Sequence, residues 1–99
     1  MKNTSWFVYI IETKKGLLYT GITNNVKRRF EEHSGRGKKK GAKFFNVDPP
    51  KNFVYLEEVE NRSQATKREI SIKKLLKVRK LELIKEHLLE TKNILSTIK

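Results

Sequence analysis

The stretch WFVYIIETKKGLLYTGIT, residues 6–23, decides the fold of this 99-residue chain. Its first part, from Trp6 to Glu12, is rich in aromatic and β-branched residues and predicts a strand. The segment 13–16 is polar and ends in glycine, and the segment from Leu17 to Thr23 predicts a second strand, so together they form a β-hairpin. Apolar residues occupy consecutive positions of these strands, which indicates that both faces of the hairpin are covered.

A helix is predicted directly after the hairpin. Asn24 and Asn25 are good helix caps, and the segment that follows them ends at Gly35, a residue suited to a left-handed stop. Four residues of this segment are spaced three or four apart and therefore share one face: Val26, Arg29, Phe30 and His33. We expect the two apolar residues to anchor the helix to the sheet, and the arginine and the histidine to project along its edge.

The second half of the chain predicts one more strand and two helices. Residues 52–60 alternate as a third strand, with Phe53, Tyr55 and Glu57 on one face and the intervening residues on the other. Asn61, followed by Gln64, resembles a capping box that begins a helix. The apolar residues of this helix are Ala65, Ile70, Ile72, Leu75 and Leu76.

After a break near Lys77, a last helix is predicted. Its core stripe is formed by Val78, Leu81, Ile84 and either His87 or Leu88. The resulting order ββαβαα predicts the α+β class, with a small three-stranded antiparallel sheet flanked by helices. We expect residues 1–90 to form a single domain and residues 91–99 to be a frayed C-terminal tail.

The charge of the chain indicates a polyanionic partner. The formal net charge is +12, from 23 basic and 11 acidic residues, which far exceeds what solubility requires. Many of the basic residues cluster between Lys27 and Lys43. Nucleic acid is favoured over membrane phospholipid, because the helices carry ordinary core stripes and no lipid face rich in Trp or Phe.

Composition excludes several other classes. The chain has no cysteine, so disulfides, zinc fingers and thiol nucleophiles are excluded. No apolar run approaches the ~20 residues that span a bilayer, and the apolar run from Trp6 to Ile11 is too short for the core of a signal peptide. We therefore expect an intracellular, cytoplasmic protein, assumed to be a monomer.

Four pieces of the sequence follow one another in order: Phe7-Val8-Tyr9, Tyr19-Thr20-Gly21, the segment Gly21–Phe30 with His33, and the acidic helix Ala65–Glu69. Together they resemble the motifs of the GIY-YIG nuclease superfamily. The resemblance extends from Trp6 to about Ile84. Within the superfamily, the chain resembles more specifically the small stand-alone bacterial members of uncharacterised function. Four residues depart from the family pattern: Phe7 replaces a glycine, Thr20 an isoleucine, and Phe44-Phe45 a Thr-Arg-like pair.

The resemblance implies a metal-dependent endonuclease that hydrolyses DNA, selecting structure rather than sequence, as in repair or recombination. It implies that Tyr9 and Tyr19 position the attacking water and the phosphate, and that Glu69 is the single carboxylate ligand of a divalent ion, Mg²⁺ or Mn²⁺. Arg29 would bind two phosphate oxygens, and His33 would assist a proton transfer.

Each of these residues also has a purely structural interpretation. The tyrosines are then half-buried packing residues, Arg29 is a surface arginine that extends its charge into solvent, and Glu69 forms a salt bridge to Lys73. The predicted phosphate contacts are basic residues in or near a glycine-rich loop: Lys27, Arg28, Arg36, Lys38, Lys39, Lys40 and Lys43. Two alternatives to the nuclease remain: a non-catalytic nucleic-acid-binding module on the same scaffold, and an interaction protein for RNA or an acidic partner.

Overall fold

A computed structural model of the protein describes residues 5–33 and 50–97, except for the side chains of Phe30, Glu32 and His33. Its strands are β1 (Trp6–Thr13), β2 (Leu18–Thr23) and β3 (Pro50–Val59), and its helices are α1 (Val26–His33), α2 (Arg62–Lys73), α3 (Lys77–Glu86) and α4 (Leu88–Ser96). The strands form an antiparallel sheet in the order β2-β1-β3. The predicted α+β class is confirmed, and α4 is added to the predicted order of elements.

The predicted hairpin is present, with β1 as the central strand. Its turn is closed by two backbone hydrogen bonds, from the Thr13 N–H to the Leu17 carbonyl and from the Gly16 N–H to the Thr13 carbonyl, both 2.9 Å long. Gly16 has a φ of +90°, which L side chains rarely adopt, so glycine suits this position of the turn. The buried Thr13 hydroxyl accepts a further hydrogen bond from the Leu17 N–H.

Both faces of the sheet are covered, as the consecutive apolar residues of β1 predict. On one face, here called the tyrosine face, Tyr9 and Ile11 of β1 pack with Val26 of α1 and with Ile94 and Leu95 of α4. The opposite face is here called the α2 face. It buries a cluster formed by Val8, Ile10, Tyr55, Ala65 and Ile72, against which Leu83 and Ile84 of α3 pack.

The predicted alternation of β3 is wrong at its start, because the strand contains a β-bulge. Ile10 pairs with Tyr55 but the next residue, Ile11, pairs with Phe53, so Val54 has no partner in β1. Such an extra residue reverses the alternation of the side chains. Phe53 therefore lies on the tyrosine face, while Tyr55 lies on the α2 face.

Two of the predicted helix starts are confirmed in detail. The Asn25 side-chain oxygen accepts a hydrogen bond of 3.0 Å from the Arg28 N–H, and the Asn61 side-chain oxygen accepts one of 2.9 Å from the Gln64 N–H. The Gln64 side chain in turn accepts from the Glu60 N–H, one residue earlier than in a standard capping box. The predicted end of the first helix, at Gly35, lies outside the described residues.

The predicted core stripe of α3 is wrong in its first half. Val78 and Leu81 are 58% and 47% exposed, and the core contacts come from Leu83 and Ile84. The packing of Leu83 and Ile84 against the buried cluster sets which side of α3 faces the sheet, so Val78 and Leu81 point away from it. At the start of the helix, the Lys77 ammonium donates a hydrogen bond of 2.9 Å to the Gly16 carbonyl.

The C-terminal residues form a packed helix up to Ser96 instead of the predicted frayed tail. Thr91 is 1% exposed, and its hydroxyl accepts a hydrogen bond of 3.0 Å from the backbone N–H of Leu56 in β3. The weak helix propensity of this segment is thus overcome by tertiary contacts. None of the helices within residues 5–33 and 50–97 is long and apolar enough to cross a bilayer.

We expect Thr91→Val to destabilise the protein by about 1–3 kcal/mol, because the buried Leu56 N–H loses its acceptor. The free energy of unfolding from urea denaturation measures this effect. Thr91→Ser keeps the hydroxyl and should remain close to the parent protein. Equal stability of the valine and serine variants would show that the hydrogen bond does not hold α4 in place.

Candidate active site

The hairpin places Tyr9 and Tyr19 side by side on the tyrosine face. Tyr19 pairs with Ile11, two residues from Tyr9 on the same strand, so both aromatic rings emerge from the same side of the sheet. Their ring centroids lie 6.5 Å apart. Tyr9 also packs edge-to-face against Phe53 at 5.5 Å and is only 2% exposed, whereas Tyr19 is partly exposed.

Gly21 forms the seat of the Tyr9 phenol. The two residues are cross-strand partners, and a Cβ atom at position 21 would lie 2.5 Å from the Tyr9 hydroxyl oxygen and 2.6 Å from the carbon that bears it. The sequence predicts that a missing side chain here admits a backbone or a phosphate. In the structure, it admits the ring of the neighbouring tyrosine.

Helix α1 carries Arg29 to the same face. Val26, at the start of α1, is 4% exposed and packs in the cluster that contains Tyr9. Arg29 follows on the same side of the helix; it is partly buried, with its Nε atom fully covered. The neighbouring Arg28 is exposed and donates to the Asn24 side chain at 3.4 Å. His33 is the last residue of α1, and its side chain lies outside the described part.

Glu69 is carried by the helix on the other side of the sheet. Ala65 and Ile72, its neighbours on one helical stripe, are buried in the α2 face. One Glu69 oxygen lies 3.3 Å from Lys73 Nζ, the side chains being 20% and 55% exposed respectively. The predicted salt bridge is therefore present. Because α2 contacts the edge strand β2 more than the other strands, the helix that bears Glu69 lies towards the β2 edge of the sheet.

A divalent ion fits this carboxylate only if water and substrate supply most of its ligands. Within residues 5–33 and 50–97, no group of three or more His, Asp or Glu side chains could hold a metal ion. Mg²⁺ accepts such a site, since it usually keeps several waters and binds one or two carboxylates together with phosphate. Lys73 competes for the same oxygen, but its own side chain is 55% exposed, so solvent screening weakens the ion pair.

The predicted phosphate contacts are only partly within the described structure. Lys27 and Arg28 are both exposed on α1, next to the partly buried Arg29. The others lie outside the described residues: Arg36, Lys38, Lys39, Lys40 and Lys43. The pair Phe44-Phe45, which departs from the family pattern, also lies outside them.

A polar cluster that the sequence does not predict joins β3 to α2 on the α2 face. Glu57 accepts hydrogen bonds from the Tyr55 hydroxyl and, at 2.9 Å, from Arg68 Nε. Burial and the bond to Glu57 raise the pKa of Tyr55 above its ordinary range. Burial also favours the neutral form of Glu57. The two hydrogen bonds and the charges of Arg68 and His87 outweigh it and lower the pKa of the carboxyl below 4.5.

This cluster makes Arg68 a positioning residue of α2, one position before Glu69. The sequence signal for this role is weak. It consists of a basic residue, Arg68, directly before the acidic Glu69 of the motif, and of a glutamate, Glu57, in the strand that precedes the helix. Alternation places Tyr55 and Glu57 on one face of β3, as the structure has them, but it does not reveal that Arg68 of α2 lies against that face.

Gly21→Ala should destabilise the protein by about 1–3 kcal/mol, the usual range for overpacking a tightly packed site. In a Tyr9→Val background the same change should cost much less, because the ring that the new methyl group meets is gone. Urea denaturation of the four proteins gives this double-mutant cycle. If the two substitutions lower the free energy of unfolding additively, the proposed contact between Gly21 and the Tyr9 ring is contradicted.

The lowered pKa of Glu57 predicts a contribution to stability that depends on pH. The contribution is fully present above 4.5 and is lost as the pH falls through the lower pKa of the folded state. Glu57→Gln should therefore flatten the loss of stability between about pH 5 and 3, measured by urea denaturation across this range. Glu86→Gln, an exposed site on α3, controls for the change of charge; if it flattens the curve equally, the ion pair is not the cause.

Comparisons with known proteins give two similar sequences and a similar structure. The chain is 46% identical over 81 residues to the UPF0213 protein of Desulfotalea psychrophila, covering 82% of this chain and 72% of that protein. It is also 46% identical over 82 residues to a UPF0213 protein of Staphylococcus aureus, covering 83% and 96% of the two chains. The solution NMR structure of a UPF0213 protein from Bacillus halodurans superimposes with a TM-score of 0.54 at 30% identity, covering 86% of this chain and 87% of that one.

The family itself is identified by a match over most of the chain. Residues 5–82 match the model of the GIY-YIG catalytic domain, a span that includes both tyrosines, α1 and all of α2. The resemblance found in the motifs of the sequence is thereby confirmed. With its hairpin tyrosines on one face and its acidic helix packed against the other, this chain belongs to the GIY-YIG family of nuclease domains.

Proposed function

We propose that the protein is a metal-dependent endonuclease that hydrolyses DNA phosphodiester bonds and selects its substrate by structure. The observation that carries the proposal is the packing of Tyr9 on Gly21, beside Tyr19 and the helix that bears Arg29. A contact that leaves no room for one methyl group holds a phenol in a single position. Catalysis by positioning requires such control, because small displacements of reacting groups are costly.

The exposure of the two tyrosines separates their roles. Tyr9 is almost fully buried, so its hydroxyl does not meet the phosphate directly. Its role is to orient Tyr19 or a water molecule. Tyr19 and Arg29 are partly exposed and are the groups that meet the phosphate. The guanidinium fork of the arginine offsets the charge that develops on the phosphate oxygens in the transition state.

Glu69 would hold the divalent ion, which supplies charge neutralisation at the scissile phosphate and an activated water. Because α2 lies on the face opposite the tyrosines, a phosphate must lie at the β2 edge to meet both. An extended strand that wraps around this edge satisfies the requirement. The geometry thus favours a distorted or branched DNA over a straight duplex, and lysine and arginine contacts to phosphate carry no sequence information.

The alternative function is a non-catalytic nucleic-acid-binding module. Two observations favour it: Tyr9 is buried, and the Glu69 carboxylate is already paired with Lys73. In this case the buried phenol is a packing group, and the basic surface binds DNA without cleaving it.

Cleavage of labelled single strands, duplexes, flaps and four-way junctions with Mg²⁺ or Mn²⁺ tests the nuclease. We expect Arg29→Ala to lower the cleavage rate by about 10²–10³-fold, the usual effect of removing one donor that stabilises developing charge. Arg28→Ala removes the same charge one position away, at a predicted phosphate contact, so it should weaken DNA binding but leave the cleavage rate at saturating DNA near that of the parent. Glu69→Ala should abolish cleavage and keep salt-sensitive binding, and Tyr9→Phe should lose activity while keeping the ring contacts.

A companion variant tests the metal assignment itself. Lys73→Met removes the cation that competes for Glu69, so cleavage should reach half of its maximum at a lower metal concentration than in the parent. Cleavage that persists in Glu69→Ala would refute Glu69 as the ligand. Tight binding by the parent, without turnover in either metal, would establish the binding module instead.

A further inference from the structure

Two segments of the chain are rich in positive charge and contain no carboxylate. Residues 13–30 hold five basic and no acidic residues, and the same is true of residues 70–81. The first segment includes the hairpin turn with its exposed Lys14 and Lys15. The second runs from the end of α2 into α3. Charges of one sign that are brought together add their fields and attract a polyanion.

The fold joins these two segments. The Lys77 ammonium at the start of α3 donates to the Gly16 carbonyl of the hairpin turn at 2.9 Å, so the turn and the helix meet although they are 61 residues apart in sequence. Lys77 and Lys80 then line a groove of about 290 Å³, with Leu17 and Leu18 on its other side. An ammonium group has three donors, so the contact with the turn leaves Lys77 able to bind an anion as well.

From this arrangement we infer that the surface formed by Lys14, Lys15, Lys77 and Lys80, here called the turn–α3 face, is a second site for the DNA backbone. It differs from the predicted phosphate contacts on α1 and the loop after it. Its ligand is the phosphate chain of the DNA that flanks the cleaved bond. Lysines there supply point charges without base readout, so the site adds affinity and salt dependence but no sequence preference.

The position of Glu69 supports this assignment, which rests on the proposed DNA substrate. The Glu69 carboxylate contacts Lys73 at 3.3 Å, and Lys73 precedes Lys77 by four residues across the break between α2 and α3. A DNA strand whose phosphate lies at the Glu69 metal therefore has positive charge along its continuation towards the hairpin turn. The site extends the proposed active site along the β2 side of the protein.

The test is the salt dependence of binding, which does not require cleavage. Binding of a labelled flap DNA is measured by fluorescence anisotropy without divalent metal, between about 50 and 200 mM NaCl. Each phosphate contact contributes about 0.9 to the slope of log affinity against log salt. We expect Lys14→Ala to lower the slope by about 0.9, and Lys14→Ala with Lys80→Ala to lower it by about 1.8.

The control pair is Lys85→Ala with Lys92→Ala, which removes the same charge from exposed positions near the end of α3 and on α4. A parent-like slope for this pair and a reduced slope for the turn–α3 pair support the site. Equal slopes for the two pairs, or no change in either, overturn it. Circular dichroism of each variant verifies the fold, and the single Lys14→Ala change lies in an exposed turn where no core contact is at risk.

The outcomes of this test and of the cleavage test are separable. Cleavage by the parent together with an unchanged slope in the turn–α3 pair refutes the second site and leaves the nuclease standing. A reduced slope without any cleavage supports the second site on a binding module. If the parent binds no DNA at all, both proposals are refuted.

Discussion

The burial of β1 on both of its faces is the constraint on which the rest of the structure depends. Val8, Ile10 and Ile11 have no exposed surface, and Tyr9 has almost none. A strand buried on both sides needs cover above and below the sheet. That need accounts for α1 and α4 on the tyrosine face and for α2 and α3 on the other. In a chain of this length the same strand must therefore supply both the core and the chemistry.

This arrangement divides the candidate catalytic groups between two faces. The tyrosines and Arg29 belong to one side, and Glu69 belongs to a helix that packs on the other. Because β2 is an edge strand of the described sheet, a ligand that lies along its outer edge can touch both sides. The polar cluster of Tyr55, Glu57 and Arg68 has a clear purpose in this view, because it ties α2 to β3 and thereby fixes where the acidic helix lies along the sheet.

The parts of the fold that sequence predicts are those set by local chemistry. The hairpin follows from β-branched runs around a glycine turn, and the starts of α1 and α2 follow from Asn25 and Asn61, whose side chains cap the nearest free N–H groups. The register of the hairpin, in which Tyr9 pairs with Gly21, places the two motif tyrosines on the same face of the sheet.

The parts that sequence misses are set by contacts between distant segments. One extra residue at Val54 reverses the faces of β3, and alternation alone cannot reveal it. The rotation of α3 depends on the packing of Leu83 and Ile84 against the sheet. The last helix depends on a hydroxyl that meets β3 from 35 residues away. Within the candidate site, alternation does not reveal that the space beside Gly21 holds a side chain from the neighbouring strand, the ring of Tyr9.

The position of α4 along β3 has a consequence for the behaviour of the protein in solution. A strand at the rim of a sheet offers unpaired N–H and C=O groups, on which another chain can add a strand. Here the Thr91 hydroxyl occupies the N–H of Leu56, and the helix behind it lies against the strand. Growth of the sheet by addition of a neighbour's strand is therefore blocked on that side. The helix that ends the described chain thus protects this edge of the sheet from edge-to-edge pairing.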